Sequence, residues 1–173
     1  MKFVAMMILW CAAWPAAAGG FGPWTFGMSV EQIRAVDTHG PYRAFSNGDL
    51  ETYNADFGGR KENAQFYLRE GRLWRVALRT YEGTGLDDAA AAWRRTYTTL
   101  QALHGPVETP DFPDGDLAAL AEAAKARVAG GDKTQMAPVE QPAEAFVFSS
   151  FNGHTVAGTT YYTVTVYYDQ PTP

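Results

Sequence analysis

The chain has 173 residues, of which 46% are hydrophobic and 19% charged, and it carries a formal net charge of −5. An acidic chain of this size gains no general electrostatic attraction to nucleic acid or anionic lipid. The single cysteine is Cys11, and one thiol excludes an intramolecular disulfide framework and thiolate metal clusters.

The first eighteen residues read as a secretory signal peptide. Lys2 is followed by an apolar run from Phe3 to Trp14 and by Ala16-Ala17-Ala18 ahead of Gly19. That is a charged start, a short hydrophobic region and a small-residue cleavage site, too short to span a bilayer, which needs about 20 apolar residues. Cleavage after Ala18 leaves about 155 residues, without a thiol and without an integral membrane segment, enough for one domain with its own core. Trp10, directly before Cys11, is too bulky for a lipoprotein cleavage site. The expected organisation is a signal peptide at 1–18 and a single domain at 19–173, periplasmic or secreted.

Ser29 with Gln32 forms a capping box, Met28 and Ile33 flank it as a hydrophobic staple, and Val30, Ile33 and Val36 share one face. This predicts a short helix stopped by Gly40-Pro41. Strands are expected at 42–46 and 50–57, joined by the turn dipeptide Asn47-Gly48, and at 64–68 and 72–81 around Gly71. The apolar pattern selects the register of the last pair. A two-residue Glu70-Gly71 loop sets Phe66 opposite Arg75. A three-residue loop with a left-handed Gly71 pairs Phe66 with Trp74 and Ala64 with Val76, and is preferred.

A second helix is expected from Asp88 to Leu103, capped by Asp87, with Trp93, Tyr97 and Leu100 on its buried face. It ends in His-Gly-Pro at 104–106, as the first helical segment does at 39–41, but one tripeptide does not establish an internal duplication. The segment 107–143 reads as loop-rich and loosely held, with one helix from Asp116 to Ala129 carrying Leu117, Leu120, Ala124 and Val128. Strands follow at 145–151 and 159–168, with Asn152-Gly153 as a turn signal. This order predicts an α+β fold, a mainly antiparallel sheet of about six strands with two or three helices packed on one face.

Catalytic and metal motifs do not emerge. His39 and His104 sit at helix ends, His154 in a predicted loop, and no two are four apart as a helical metal pair requires. Ser149-Ser150 lacks a nucleophile elbow. Asp111, Asp114 and Asp116 alternate, but Gly115 breaks the order of a calcium loop. No catalytic residue, metal ligand or cofactor is assigned. One surface does stand out. In the chosen register the strand face opposite the core carries Gln65, Tyr67, Arg75 and Arg79, with Asn63, Leu73, Ala77 and Tyr81. Six basic and two acidic residues lie between Arg60 and Arg79, and eight acidic and three basic between Glu108 and Glu144. Arginine and tyrosine are common interface anchors, so Tyr67, Arg75 and Arg79 are the candidate binding residues, for an acidic partner or for the chain's own acidic segment.

Trp24 to Arg79 resembles the small envelope proteins of the SmpA/OmlA type and the β-lactamase-inhibitor-protein-like fold. The matching residues are Gly27-Met28-Ser29, Gln32-Ile33, Gly40-Pro41, Thr52-Tyr53, and Tyr67 to Leu73 around Gly71; everything after Gly105 lies outside the pattern. The resemblance implies a fold, an envelope compartment and protein binding. The expectation is an exported binding or accessory protein of the bacterial cell envelope, with a protein or envelope component as partner and no nucleic acid. The competing expectation is a periplasmic hydrolase with an unrecognised acid/base pair. N-terminal sequencing of the exported protein should begin at Gly19, and a lipidated Cys11 as first residue would refute the cleavage site.

Overall fold

The computed structural model describes residues 19–112 and 116–171; the expected signal peptide lies outside the described residues. A small hairpin of β1 (Gly20–Phe21) and β2 (Trp24–Thr25) leads into α1 (Val30–Arg34) and a 3-10 turn at Asp37–His39. Then come β3 (Arg43–Ala44), β4 (Leu50–Phe57), β5 (Arg60–Arg69), β6 (Arg72–Gly83), α2 (Leu86–His104), β7 (Val107–Glu108), α3 (Leu117–Ala129), β8 (Thr134–Pro138), β9 (Phe146–Val156) and β10 (Thr159–Asp169). Strands β3 to β10 form one antiparallel sheet in the order β3-β4-β5-β6-β10-β9-β8-β7. The fold is α+β as expected, but the sheet has eight strands rather than about six. The additional pair, β7 and β8, comes from the segment expected to be loop and helix alone. Neither announces itself: β7 is two residues long, and the inward positions of β8 are Thr134, Met136 and Pro138.

Outward from the β6–β10 seam the sheet reads as two runs of four strands, each preceded by His-Gly-Pro. Both central hairpins turn on two residues of positive φ, Glu70 (53°) with Gly71 (74°) and Ala157 (49°) with Gly158 (80°). The tripeptide echo therefore coincides with an approximate two-fold arrangement of the strands.

One sheet face is covered. Trp93 and Leu100 of α2 and Leu120, Ala121, Ala124 and Val128 of α3 are buried over Phe66, Val76, Leu78, Val147, Phe151, Val164 and Val166. The N-terminal hairpin extends this layer: Trp24 packs on Phe66 (ring centroids 4.9 Å) and Phe21 on Tyr168 (4.9 Å). The capping box at Ser29 and Gln32 forms as expected, and Asp116 caps α3 through Ala119 N–H. Asp87 does not cap α2. Gly85 takes the N-cap position, its N–H donating to the Tyr81 hydroxyl (3.0 Å), and Asp87 pairs with Lys125 of α3 (2.5 Å).

The register of the β5–β6 hairpin departs from expectation. The turn has two residues, with Arg69 opposite Arg72 and Leu68 opposite Leu73. Trp74 is then an extra residue on β6, a β-bulge, beyond which Tyr67 faces Arg75 and Phe66 faces Val76. A bulge shifts the alternation by one, so the short turn and the buried apolar face coexist. Trp74 is half-buried on the side away from the core, whereas Leu73 is fully buried. A second bulge, between β6 and β10 at Thr80, turns Tyr81 toward α2. Leu73 and Tyr81 thus leave the face to which simple alternation assigns them.

Asn152-Gly153 is not a turn. β9 runs through it and turns at Ala157-Gly158. Asn152 accepts from the Thr163 hydroxyl (2.9 Å), and a Cβ at Gly153 would lie 3.2 Å from the Tyr162 ring, so a neighbouring aromatic occupies the space a side chain would take.

Phe66→Ala should cost about 3–5 kcal/mol, the range for emptying a buried aromatic site, and Trp74→Ala clearly less. Urea unfolding of both variants checks the order, and the reverse order would contradict the bulged register.

Candidate binding face

Alternation along the strands puts three cross-strand rows on the face away from α2 and α3. Across β5, β6, β10 and β9 they are Tyr67, Arg75, Asp169 and Phe146; Gln65, Ala77, Tyr167 and Phe148; and Asn63, Arg79, Thr165 and Ser150. All three residues singled out from the sequence, Tyr67, Arg75 and Arg79, lie on this face, with Tyr67 and Arg75 directly opposite each other. The Trp74 bulge adds a residue that alternation assigned to the core.

These side chains form a continuous ribbon of planar groups. Arg75 makes a two-pronged ion pair with Asp169, Nε to Oδ1 at 2.6 Å and Nη2 to Oδ2 at 2.5 Å. Its guanidinium lies 4.7 Å from the Trp74 ring centroid and 4.9 Å from that of Tyr167. Arg69 covers the same Trp74 ring at 4.5 Å. On the far side Tyr167 stacks on Phe148 (4.8 Å), and Phe148 packs against Phe146 (5.6 Å). Cations prefer ring faces, so the order Arg69, Trp74, Arg75, Tyr167, Phe148, Phe146 is held by cation–π and aromatic contacts across four strands. Hydrogen bonding to Asp169 raises the affinity of Arg75 for its proton, and burial pushes the Tyr67 hydroxyl up; that hydroxyl donates to Gln65 Oε1 (2.9 Å).

Both arginines are neutralised within the chain, since Arg79 pairs with Glu82 three residues on. The guanidiniums of Arg75 and Arg79 are therefore not free charge, whereas Arg69, over Trp74, has no ion-paired carboxylate among the described residues. Among the described residues the acidic segment does not cover this face either. α3 packs against α2 and the buried side of the sheet, and Asp111 accepts from Thr134 (3.1 Å) and lies 3.5 Å from Arg127.

A recess opens at each end of the ribbon. One, of about 400 Å³, is lined by Phe45, Ser46, Asn47, Asp49, Gln65 and Tyr67. The other, of about 220 Å³, is lined by Pro110, Gln135, Met136, Ala137, Phe146 and Phe148. Phe146 is half exposed, at 50%.

The remaining chemical candidates take structural positions. His39 Nδ1 lies 2.8 Å from Asn54 O and its ring packs on Trp24. His104 Nε2 lies 3.0 Å from the Tyr168 hydroxyl, with burial lowering the imidazole pKa. His154 stacks on Tyr161 within β9 rather than in a loop. Ser149 is buried in the core face, and its hydroxyl lacks a hydrogen-bond partner there. Asp114 lies outside the described residues. Among the described residues no three histidine, cysteine or acidic side chains are grouped to hold a metal, and no helix is long and apolar enough to cross a membrane. Comparison with protein families, curated proteins and solved structures returns no match.

A double-mutant cycle on Arg75→Ala and Asp169→Ala should show a coupling of about 1 kcal/mol, at the upper end for ion pairs that retain some solvent exposure. Zero coupling in chemical denaturation would mean that the ion pair does not brace β6 against β10.

Proposed function

We propose that the protein is an exported binding or accessory protein of the bacterial cell envelope that engages a protein partner through the uncovered face of its sheet. The export half of this reading rests on the signal-like start of the sequence and on the resemblance to envelope modules. The binding half rests on one observation: a braced aromatic–arginine ribbon, flanked by two recesses, on a face that neither α2 nor α3 covers.

The ribbon's chemistry narrows the partner. Arg75 and Arg79 have carboxylates of their own, so attraction to an acidic surface is confined to Arg69 at one end of the ribbon. It offers rigid aromatic area, polar groups at Gln65, Asn63 and the Tyr67 hydroxyl, and recesses for projecting side chains. Aromatic anchors bound to a fixed frame lose little entropy on binding. The fitting partner is a folded protein whose surface projects apolar side chains into the recesses. The hydrolase reading finds less support. Asp49, the acid in the larger recess, is already bonded to Leu68 N–H (2.8 Å) and Asn47 Nδ2 (2.7 Å).

Affinity capture from an envelope extract, followed by reconstitution with the purified partner, tests this. Tyr67→Ala and Phe148→Ala should each weaken the reconstituted complex by about tenfold or more, as loss of an interface anchor does. High salt should change the affinity little. Unchanged binding in both variants would move the interface elsewhere.

A further inference from the structure

On the helix side of the sheet, away from the ribbon, the β4–β5 turn folds against α2. Gly58 (φ +58°) sits so close to the helix that a Cβ there would lie 2.5 Å from the Thr99 hydroxyl oxygen. Turn and helix meet with no side chain from Gly58 between them. Around this contact opens a cleft of about 340 Å³ lined by Arg60, Arg94, Arg95, Thr98, Thr99 and Gly58. Adjacent helical residues do not share a face, yet the docked turn brings both Arg94 and Arg95 to one cleft.

The charge there is unbalanced. Arg60 has Glu62 at 3.4 Å. Burial pushes the Glu62 carboxyl up, with Arg60 and Arg95 pulling against it. Three guanidiniums thus meet one carboxylate, in a chain whose net charge is −5. Among the described residues no carboxylate forms an ion pair with Arg94 or Arg95, in contrast to Arg75 and Arg79 on the other face. The Thr98 hydroxyl donates to Arg94 O (3.2 Å), and the Thr99 hydroxyl lines the cleft beside it.

We propose that this cleft binds a multiply charged oxyanion, the phosphate of a monoester or a diphosphate group. A planar guanidinium matches two phosphate oxygens at once. Three of them around one opening supply more donors than a carboxylate can accept, and a threonine hydroxyl adds another. The group could reach the cleft on a soluble ester or on a lipid headgroup, and the chemistry is the same for both.

Calorimetric titration of the purified protein with inorganic pyrophosphate, in dilute buffer, probes the soluble source. Co-sedimentation with phosphatidylcholine vesicles containing phosphatidic acid probes the lipid source. Pyrophosphate should bind the wild type and bind Arg94→Gln/Arg95→Gln about tenfold or more weakly, with affinity falling as salt rises. Arg43→Gln, an exposed arginine on β3, is the control and should bind as the wild type does. Vesicle retention that pyrophosphate competes away, and that the double variant lacks, would support the same cleft with a lipid as the source. Absence of both pyrophosphate binding and vesicle retention would overturn the proposal. So would equal binding by the double variant, with an unchanged melting temperature showing it folded.

Discussion

The fold and the candidate face both depend on the bulge at Trp74. A tight two-residue turn at Glu70-Gly71 is favoured because its twist matches that of the strands it joins. Carried on by strict alternation, that turn would send Val76 and Leu78 to solvent and bring Arg75 and Arg79 into the core. Desolvating two guanidiniums is far costlier than leaving one backbone residue unpaired in the ladder. The extra residue at Trp74 resolves the conflict. Leu68 and Leu73 stay inside on one side of it, and Phe66 and Val76 on the other.

The same bulge builds the ribbon. It places Trp74 and Arg75, neighbours in sequence, on one side of the sheet, with the guanidinium over the indole ring. Asp169 and Tyr167 of β10 then hold Arg75 from the other strand. Arginine here works as a brace. Its Nε and Nη2 donate to one carboxylate, and its planar surfaces lie against aromatic rings. Surface side chains fixed in this way have lost their rotamer freedom before any partner arrives, which separates a binding-competent face from a merely solvated one.

The two clusters of basic residues have opposite electrostatic fates for a topological reason. The central strand β6 runs beside β10, whose last residue, Asp169, comes level with Arg75. The arginines of α2 lie on the outer side of a helix, where the neighbouring element is the Gly58-Gly59 turn, which carries no acid. Charge sharing inside the sheet and charge crowding at the helix follow from which strands and turns become neighbours.

Much of this protein was legible from residue type and spacing. Capping at Ser29 and Gln32, the helical periodicity of Trp93 and Leu100, the Asn47-Gly48 turn ahead of β4 and the β-branched and aromatic alternation of β10 are local signals, and each led to the right kind of element. Alternation, in a register chosen to bury the apolar side chains, put Tyr67, Arg75 and Arg79 on a face opposite the core. Other features needed the tertiary structure. β7 and β8 are strands because an edge was available to pair with, and their own residues carry little preference. Asn152-Gly153 stays extended because Thr163 and Tyr162 stand across from it, overriding a turn propensity that acts only locally. The bulges in β6 arise from competition between turn geometry, core burial and arginine solvation, and no single segment contains all three. Short-range chemistry therefore determined the helices and the longer strands. Long-range neighbours decided the register, the pairing of charges and which surfaces remained open.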